Sequence, residues 1–165
     1  MECGSTPTDG CYINGNTTFN LDTYNLPNGV VFNKSDIFLD CNEATLSGSG
    51  SGNGISLSGF DNLEIKNCNI ENYATGIQLN YNADNNQIFS NRIRNTTTGI
   101  GILRADYNQI YDNDFEDNSK NVYLYTDSGY SLYNSIYSNN FNGGDYGIIT
   151  GSWDYWYAAY NAIKD

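Results

Sequence analysis

The sequence predicts an all-β chain, a right-handed parallel β-helix of about five coils with a repeat of about 22 residues. Three observations predict it. A short phrase recurs as Gly54-Ile55-Ser56-Leu57, Gly76-Ile77-Gln78-Leu79, Gly99-Ile100-Gly101-Ile102, Asn121-Val122-Tyr123-Leu124 and Gly147-Ile148, at intervals of 22, 23, 22 and 26 residues. A second phrase follows each full copy: Leu63-x-Ile65-x-x-Cys68-x-Ile70, Asn86-x-Ile88-x-x-Asn91-x-Ile93, Asn108-x-Ile110-x-x-Asn113-x-Phe115 and Asn134-x-Ile136-x-x-Asn139-x-Phe141. From the second phrase to the next first phrase is always 12 residues, whereas first to second runs 10, 11, 10 and 14. One arc of each coil is therefore fixed in length and the other absorbs insertions.

Both phrases alternate apolar and polar residues over short runs, the period of strands, and no helical period competes. Gly, Asn, Asp, Ser and Thr between them suit turns with unusual backbone angles. Such short strands bury an apolar face only by stacking, each Ile above its equivalent at about 4.8 Å. Right-handedness follows from the chirality of parallel crossovers. Ile55, Ile77, Ile100, Val122 and Ile148 should form one buried column and Ile65, Ile88, Ile110 and Ile136 another. A leucine-rich repeat is the alternative, because Leu63-x-Ile65-x-x-Cys68-x-Ile70 fits its core; later copies place Asn86, Asn108 and Asn134 where that motif wants Leu.

In chain order, residues 1–28 read as an N-terminal cap, with a strand at Thr17-Thr18-Phe19-Asn20-Leu21 and a turn at Leu26-Pro27-Asn28-Gly29. The coils occupy 29–151. Val30 and Phe32 open the first, Ile37 and Leu39 form its second strand, and the Gly/Ser run at 47–52 is a loop within it. Residues 152–165 break the pattern. Trp153, Trp156, Tyr157, Tyr160 and Ile163 lie three to four apart, which predicts a short amphipathic helix that caps the stack or docks on a neighbouring copy. All 165 residues form one domain.

The repeats, with Phe38-Leu39-Asp40-Cys41-Asn42 and Leu46-Ser47-Gly48, resemble the pectate-lyase-like right-handed β-helix superfamily. The closest likeness is to its short-repeat branch, the NosD-like or CASH (carbohydrate-binding and sugar hydrolase) domains, over about residues 28–150. The resemblance implies the fold. It does not select an activity, because that branch includes enzymes, binding modules and surface proteins.

Composition narrows the partners. Net charge is -12, with only 7 Lys and Arg, which disfavours nucleic acid and anionic membranes. No apolar run is long enough to span a bilayer, so membrane insertion is not expected. Histidine is absent, which removes imidazole catalysis and His metal sites; with one Met as well, a copper-carrying role that the NosD label implies lacks its donors. Asn is the commonest residue, at 27, and Tyr is high at 15, as side-chain ladders along a solenoid require.

The four cysteines suggest disulfides and an oxidising, extracellular or cell-surface setting. Cys41 and Cys68 follow Leu39 and Ile65 closely and should lie on adjacent coils; Cys3 and Cys11 flank a Gly/Thr/Pro/Asp loop. The expected bridges are Cys3–Cys11 and Cys41–Cys68, although three pairings, or four buried thiols, are open to the sequence. Asn16, Asn33 and Asn95 open N-x-S/T sequons, compatible with a glycoprotein.

Arg92-Ile93-Arg94 resembles the R-I-K motif of polygalacturonases, which share this superfold. Register instead puts Arg94 between Glu71 and Glu116, and Arg92 between Asn69 and Asp114, a ladder of alternating charge. The clustered Asp and His-Gly of those enzymes cannot be matched without His. Asp61, Asp84 and Asp106 recur once per coil. That column could bind a hard cation such as calcium, or its carboxylates could satisfy turn amides. No metal or other cofactor is expected.

The variable arc is the candidate binding face, because insertions on one side of a solenoid build such faces. Tyr81, Asp84, Arg104, Asp106, Tyr125, Asp127 and Tyr130 lie there; aromatics with carboxylates and an Arg suit sugar rings. Phe89, Tyr111 and Tyr137, beneath Lys66, form a second stripe, either a stabilising ladder or a sugar platform. The resulting expectation is a non-enzymatic extracellular module of a cell-surface or filamentous structure. It would self-associate head to tail or join other surface proteins, and contact polysaccharide. The alternative is a polysaccharide lyase, hydrolase or epimerase, or its binding module.

Overall fold

The structure, a computed structural model, describes residues 1–127, 129–152 and 161–164. Each turn of chain gives one short strand to each of three parallel sheets. The first turn supplies β1 (Cys11–Ile13), β2 (Thr17–Thr18) and β3 (Thr23–Asn25); the second supplies β4 (Val30–Phe32), β5 (Phe38–Asp40) and β6 (Thr45–Ser47). The repeats follow as β7 (Asn53–Ser58), β8 (Glu64–Lys66) and β9 (Asn69–Glu71), then β10 (Thr75–Asn80), β11 (Gln87–Phe89) and β12 (Arg92–Arg94). The next two turns hold β13 (Thr98–Leu103), β14 (Gln109–Tyr111) and β15 (Asp114–Glu116), and β16 (Lys120–Thr126), β17 (Ser135–Tyr137) and β18 (Asn140–Asn142). A seventh turn begins with β19 (Tyr146–Ser152) and β20 (Ala162–Lys164).

The first sheet runs β1-β4-β7-β10-β13-β16-β19, the second β2-β5-β8-β11-β14-β17-β20, and the third β3-β6-β9-β12-β15-β18. This is a parallel β-helix of about six turns, near the five expected. The stretch read as an N-terminal cap itself supplies the first strand of each sheet.

Both expected columns form. Ile55, Ile77, Ile100, Val122 and Ile148 pair in register, as do Ile65, Ile88, Ile110 and Ile136. All but Ile148, which is half-buried, are at most 1% exposed. A third column, Leu46, Ile70, Ile93, Phe115 and Phe141, lines the remaining side of the triangular core. Burying each such side chain is worth about 1.5–3 kcal/mol. The Gly of the Gly-Ile phrase has a steric cause. A Cβ at Gly76 would lie 2.6 Å from the Gly99 carbonyl oxygen and 2.7 Å from Ile93 Cγ2.

The second phrase is two strands, not one run. It bends between the second and third sheets at Asn67, Ser90, Asp112 and Ser138, which share φ of 53–55°. That column is thus a left-handed corner where short polar side chains are tolerated. Immediately after the corner the Asn of each phrase points inward. The main-chain N–H groups of Cys68, Asn91 and Asn113 donate to the side-chain oxygens of Asn91, Asn113 and Asn139, each at 3.0 Å. A sister ladder joins Leu63, Asn86, Asn108 and Asn134 to Asn86, Asn108, Asn134 and Asn161 at 2.8–2.9 Å. Here lies the reason Asn replaces the Leu of a leucine-rich repeat: it satisfies corner amides that water cannot reach.

Both expected disulfides form, Cys3–Cys11 and Cys41–Cys68. Cys68 stands at the foot of the first Asn ladder, so its bridge to Cys41 continues the tie into the preceding turn. The Cys3–Cys11 bridge pins residues 1–3 along the outer edge of β1. There Tyr12 N–H donates to the Met1 carbonyl at 2.9 Å, and Cys3 N–H to the Tyr12 carbonyl at 2.8 Å.

The tail expectation needs correction at one residue. Ile163, read as part of an amphipathic helix, lies in β20 opposite Ile136, because the second-sheet register continues through it. Trp153, Trp156, Tyr157 and Tyr160 lie outside the described residues.

Candidate functional site

The variable arc folds as the corner between the first and second sheets, and the sequence candidates converge there unevenly. After β10 and β13 the chain turns through left-handed conformations at Tyr81 (φ 42°) and Arg104 (φ 50°), where the turn after β7 has Gly59 (φ 69°). The Arg104 guanidinium lies over the Tyr81 ring, 5.2 Å from its centre, and Arg104 Nε is ion-paired with Asp127 Oδ1. The Arg104 N–H is held by Ser131 Oγ at 2.9 Å, which ties the long loop after β16 back onto the preceding turn.

A second left-handed position precedes β8, β11, β14 and β17. It carries Asn62, Asn85, Tyr107 and Tyr133, with φ of 56–57°. Tyr107 and Tyr133 stack at 5.0 Å with planes 11° apart. Tyr81, Tyr107, Tyr130 and Tyr133 are 45–52% exposed, so one corner carries four of the chain's exposed aromatic rings. Tyr107 and Tyr133 were visible in the sequence only as members of the variable arc. Register with Asn62 and Asn85 is the signal that singles them out.

Asp84 and Asp106 belong to the same corner but serve the backbone. Asp61 Oδ1 accepts the Asp84 N–H at 2.9 Å, Asp84 Oδ1 the Asp106 N–H at 2.7 Å, and Asp106 Oδ1 the Leu132 N–H at 2.7 Å. Of the two readings of this column, the geometry supports the amide ladder. Burial pushes the Asp84 carboxyl up from the ordinary range, against the Asp106 amide that lowers it, and the Asp106 and Asp61 charges push it further. Among the described residues, no group of three or more His, Cys, Asp or Glu is placed to hold a metal ion.

Tyr125 is set back from the corner on the outer face of the first sheet. Its ring stacks on Tyr123 at 4.9 Å, and its hydroxyl donates to Gln78 Oε1 at 3.3 Å, two turns away. Burial raises the Tyr125 phenol pKa. Lys120 Nζ covers the Tyr123 ring at 5.3 Å.

On the second sheet, Phe89, Tyr111 and Tyr137 stack at 5.0 and 5.1 Å with planes 5° and 4° apart. Lys66 Nζ lies 5.2 Å from the Phe38 ring and 5.8 Å from Phe89. These three rings are half-buried as well as stacked, which supports the ladder reading of the stripe over the platform.

Third-sheet charges alternate in the expected register, but Arg92 pairs most closely with Glu116, diagonally, rather than with Asp114 opposite it. Arg92 Nη2 meets Glu116 at 2.6 Å, with Asp114 at 3.9 Å from Nε, and Arg94 Nη2 meets Glu71 at 2.6 Å. Arg92 and Asp114 are each 48% exposed at the side chain. These groups lie on the outer face of a sheet. The surface hollow lined by Asn16, Asp36, Ile37, Phe38, Asn62 and Glu64 has two carboxylates and no Arg. The sequon residues Asn16, Asn33 and Asn95 are all exposed.

The family model described as "NosD: Periplasmic copper-binding protein (NosD)" covers residues 3–164. No curated protein and no solved structure matches.

Proposed function

The chain belongs to the NosD family of parallel β-helix proteins, and from that premise we propose that it is a non-catalytic extracytoplasmic module that contacts polysaccharide through the corner between its first and second sheets. The family's description as periplasmic and the two disulfides fit an oxidising compartment outside the cytoplasm. One observation carries the reading: four exposed tyrosines share this corner, while Asp84 and Asp106 beside them are engaged by backbone amides. A corner built this way offers exposed ring surface and hydroxyls to a sugar, without carboxylates poised for acid or base work.

The copper in the family's description does not fit this chain's donors. There is no His, the single Met is Met1, and all four Cys are in disulfides. Soft thiolate, thioether and imidazole ligands are what copper sites use.

Affinity electrophoresis of the intact chain through polysaccharide-containing gels tests the reading. Retardation should occur in at least one gel, with no release of reducing ends or unsaturated products. Turnover abolished by Arg92→Ala would show instead an enzyme working from the third sheet.

End-to-end association is a second reading, favoured by a specific observation. Among the described residues the third sheet stops at β18, and core-side Phe141 and Ile163 are 37% and 57% exposed at that end. An unpaired edge with apolar residues beside it is a template for another copy. Sedimentation of the intact chain over a concentration series tests it; a single monomeric species throughout would overturn it.

A further inference from the structure

Tyr107 and Tyr133 occupy backbone positions that do not call for tyrosine. In the two preceding turns the same position is Asn62 and Asn85, with the same φ. Asn adopts the left-handed region readily, whereas a bulky side chain there is an outlier. Nor does the core require the rings, since they are 52% and 46% exposed. A disfavoured conformation retained at the surface marks a functional position. The two rings stack along the helix axis, one step per turn, with Tyr81 and Tyr130 on the same corner.

The charge around them restricts what can bind. Asp106 adjoins Tyr107, and Asp84 occupies the equivalent place one turn earlier. Arg104, the cation among these candidate residues, is neutralised in part by Asp127. The whole chain carries -12. A carboxylated or sulfated polymer laid on this corner meets like charge at short range. An uncharged sugar chain meets aromatic rings and hydroxyls.

Resting on the reading that this corner contacts polysaccharide, we propose that Tyr107 and Tyr133 are its specificity-determining contacts, and that the ligand is an uncharged polysaccharide lying along the helix axis.

The test uses the intact chain, in affinity gels at 0.15 M salt containing hydroxyethyl cellulose, galactomannan, polygalacturonate or alginate. Wild type should be retarded by an uncharged polymer and not by the carboxylated ones. Tyr107→Asn/Tyr133→Asn, which copies the turns at Asn62 and Asn85, should weaken that retardation at least tenfold. Its melting temperature should be unchanged or higher, because Asn suits the turn. Retardation by the carboxylated polymers as strong as by the uncharged ones overturns the ligand class and leaves the corner reading standing. Uncharged-polymer binding kept by this variant but lost in Tyr81→Ala/Tyr130→Ala overturns the assignment of Tyr107 and Tyr133 alone. A lowered melting temperature with unchanged binding makes the pair purely structural. Absence of retardation in every gel overturns both the inference and the reading beneath it.

Discussion

The side-chain oxygen of Asn113 accepts two hydrogen bonds from Asn91, one from the main-chain N–H and one from Nδ2, each at 3.0 Å. Asn113 Nδ2 in turn donates to the Ile88 carbonyl at 2.9 Å. One buried side chain thus closes a corner on two neighbouring turns. Asn113→Ala would strand the Asn91 amide and weaken the satisfaction of the Ile88 carbonyl. Each buried unsatisfied group costs about 1–3 kcal/mol, so a loss of about 2–4 kcal/mol is expected in denaturant unfolding. A loss below about 1 kcal/mol would show that water reaches the corner.

The Asp column predicts a pH-dependent gain. Burial raises the folded-state pKa of Asp84, so the stability linked to its protonated form is complete below the ordinary carboxylate range. That stability is lost as pH rises through the raised folded value. Asp84→Asn keeps an oxygen to accept the Asp106 N–H and removes the charge near Asp61 and Asp106. Its melting temperature should exceed wild type at pH 7 and match it near pH 3. A variant less stable than wild type at pH 7 would mean that the carboxylate's charge-assisted bond outweighs burial.

The N-terminal clamp predicts a change of association. Residues 1–3 cover the outer edge of β1, and the Cys3–Cys11 bridge ties them there. Cys3→Ala/Cys11→Ala should free this edge, and an uncovered strand edge recruits other chains. Sedimentation should show concentration-dependent species larger than those of wild type. The alternative outcome, an unchanged distribution, would mean that the strand edge stays covered without the bridge.

The fold was legible because a solenoid writes its register into the sequence. The constant 12-residue spacing from Ile65 to Ile77 and from Ile88 to Ile100 reflects the short third-sheet arc, and both columns follow from it. The Cys41–Cys68 bridge and the register of Arg92 and Arg94 were legible for the same reason, whereas Cys3–Cys11 was read from the loop that its cysteines flank. Less legible was the division of each second phrase. Its bend at Asn67 or Ser90 is a single residue in a left-handed conformation, which leaves the apolar pattern almost unbroken. Ile163 misled because apolar spacing in the tail does not reveal that the second-sheet register resumes there, opposite Ile136. At the corner, Asp84, Asp106 and Tyr81 share polar and aromatic chemistry. Only coordinates separate the carboxylates that serve amides from the exposed ring.

The central claim is that the exposed tyrosine corner is the contact surface. Hydrogen–deuterium exchange of the intact chain, with and without an uncharged polysaccharide that retards it, tests this most directly. The account predicts added protection at residues 81–85, 104–107 and 126–133, and none on the third sheet around Arg92 and Arg94. Protection centred on Arg92, Asp114 and Glu116, with the corner unchanged, would contradict it.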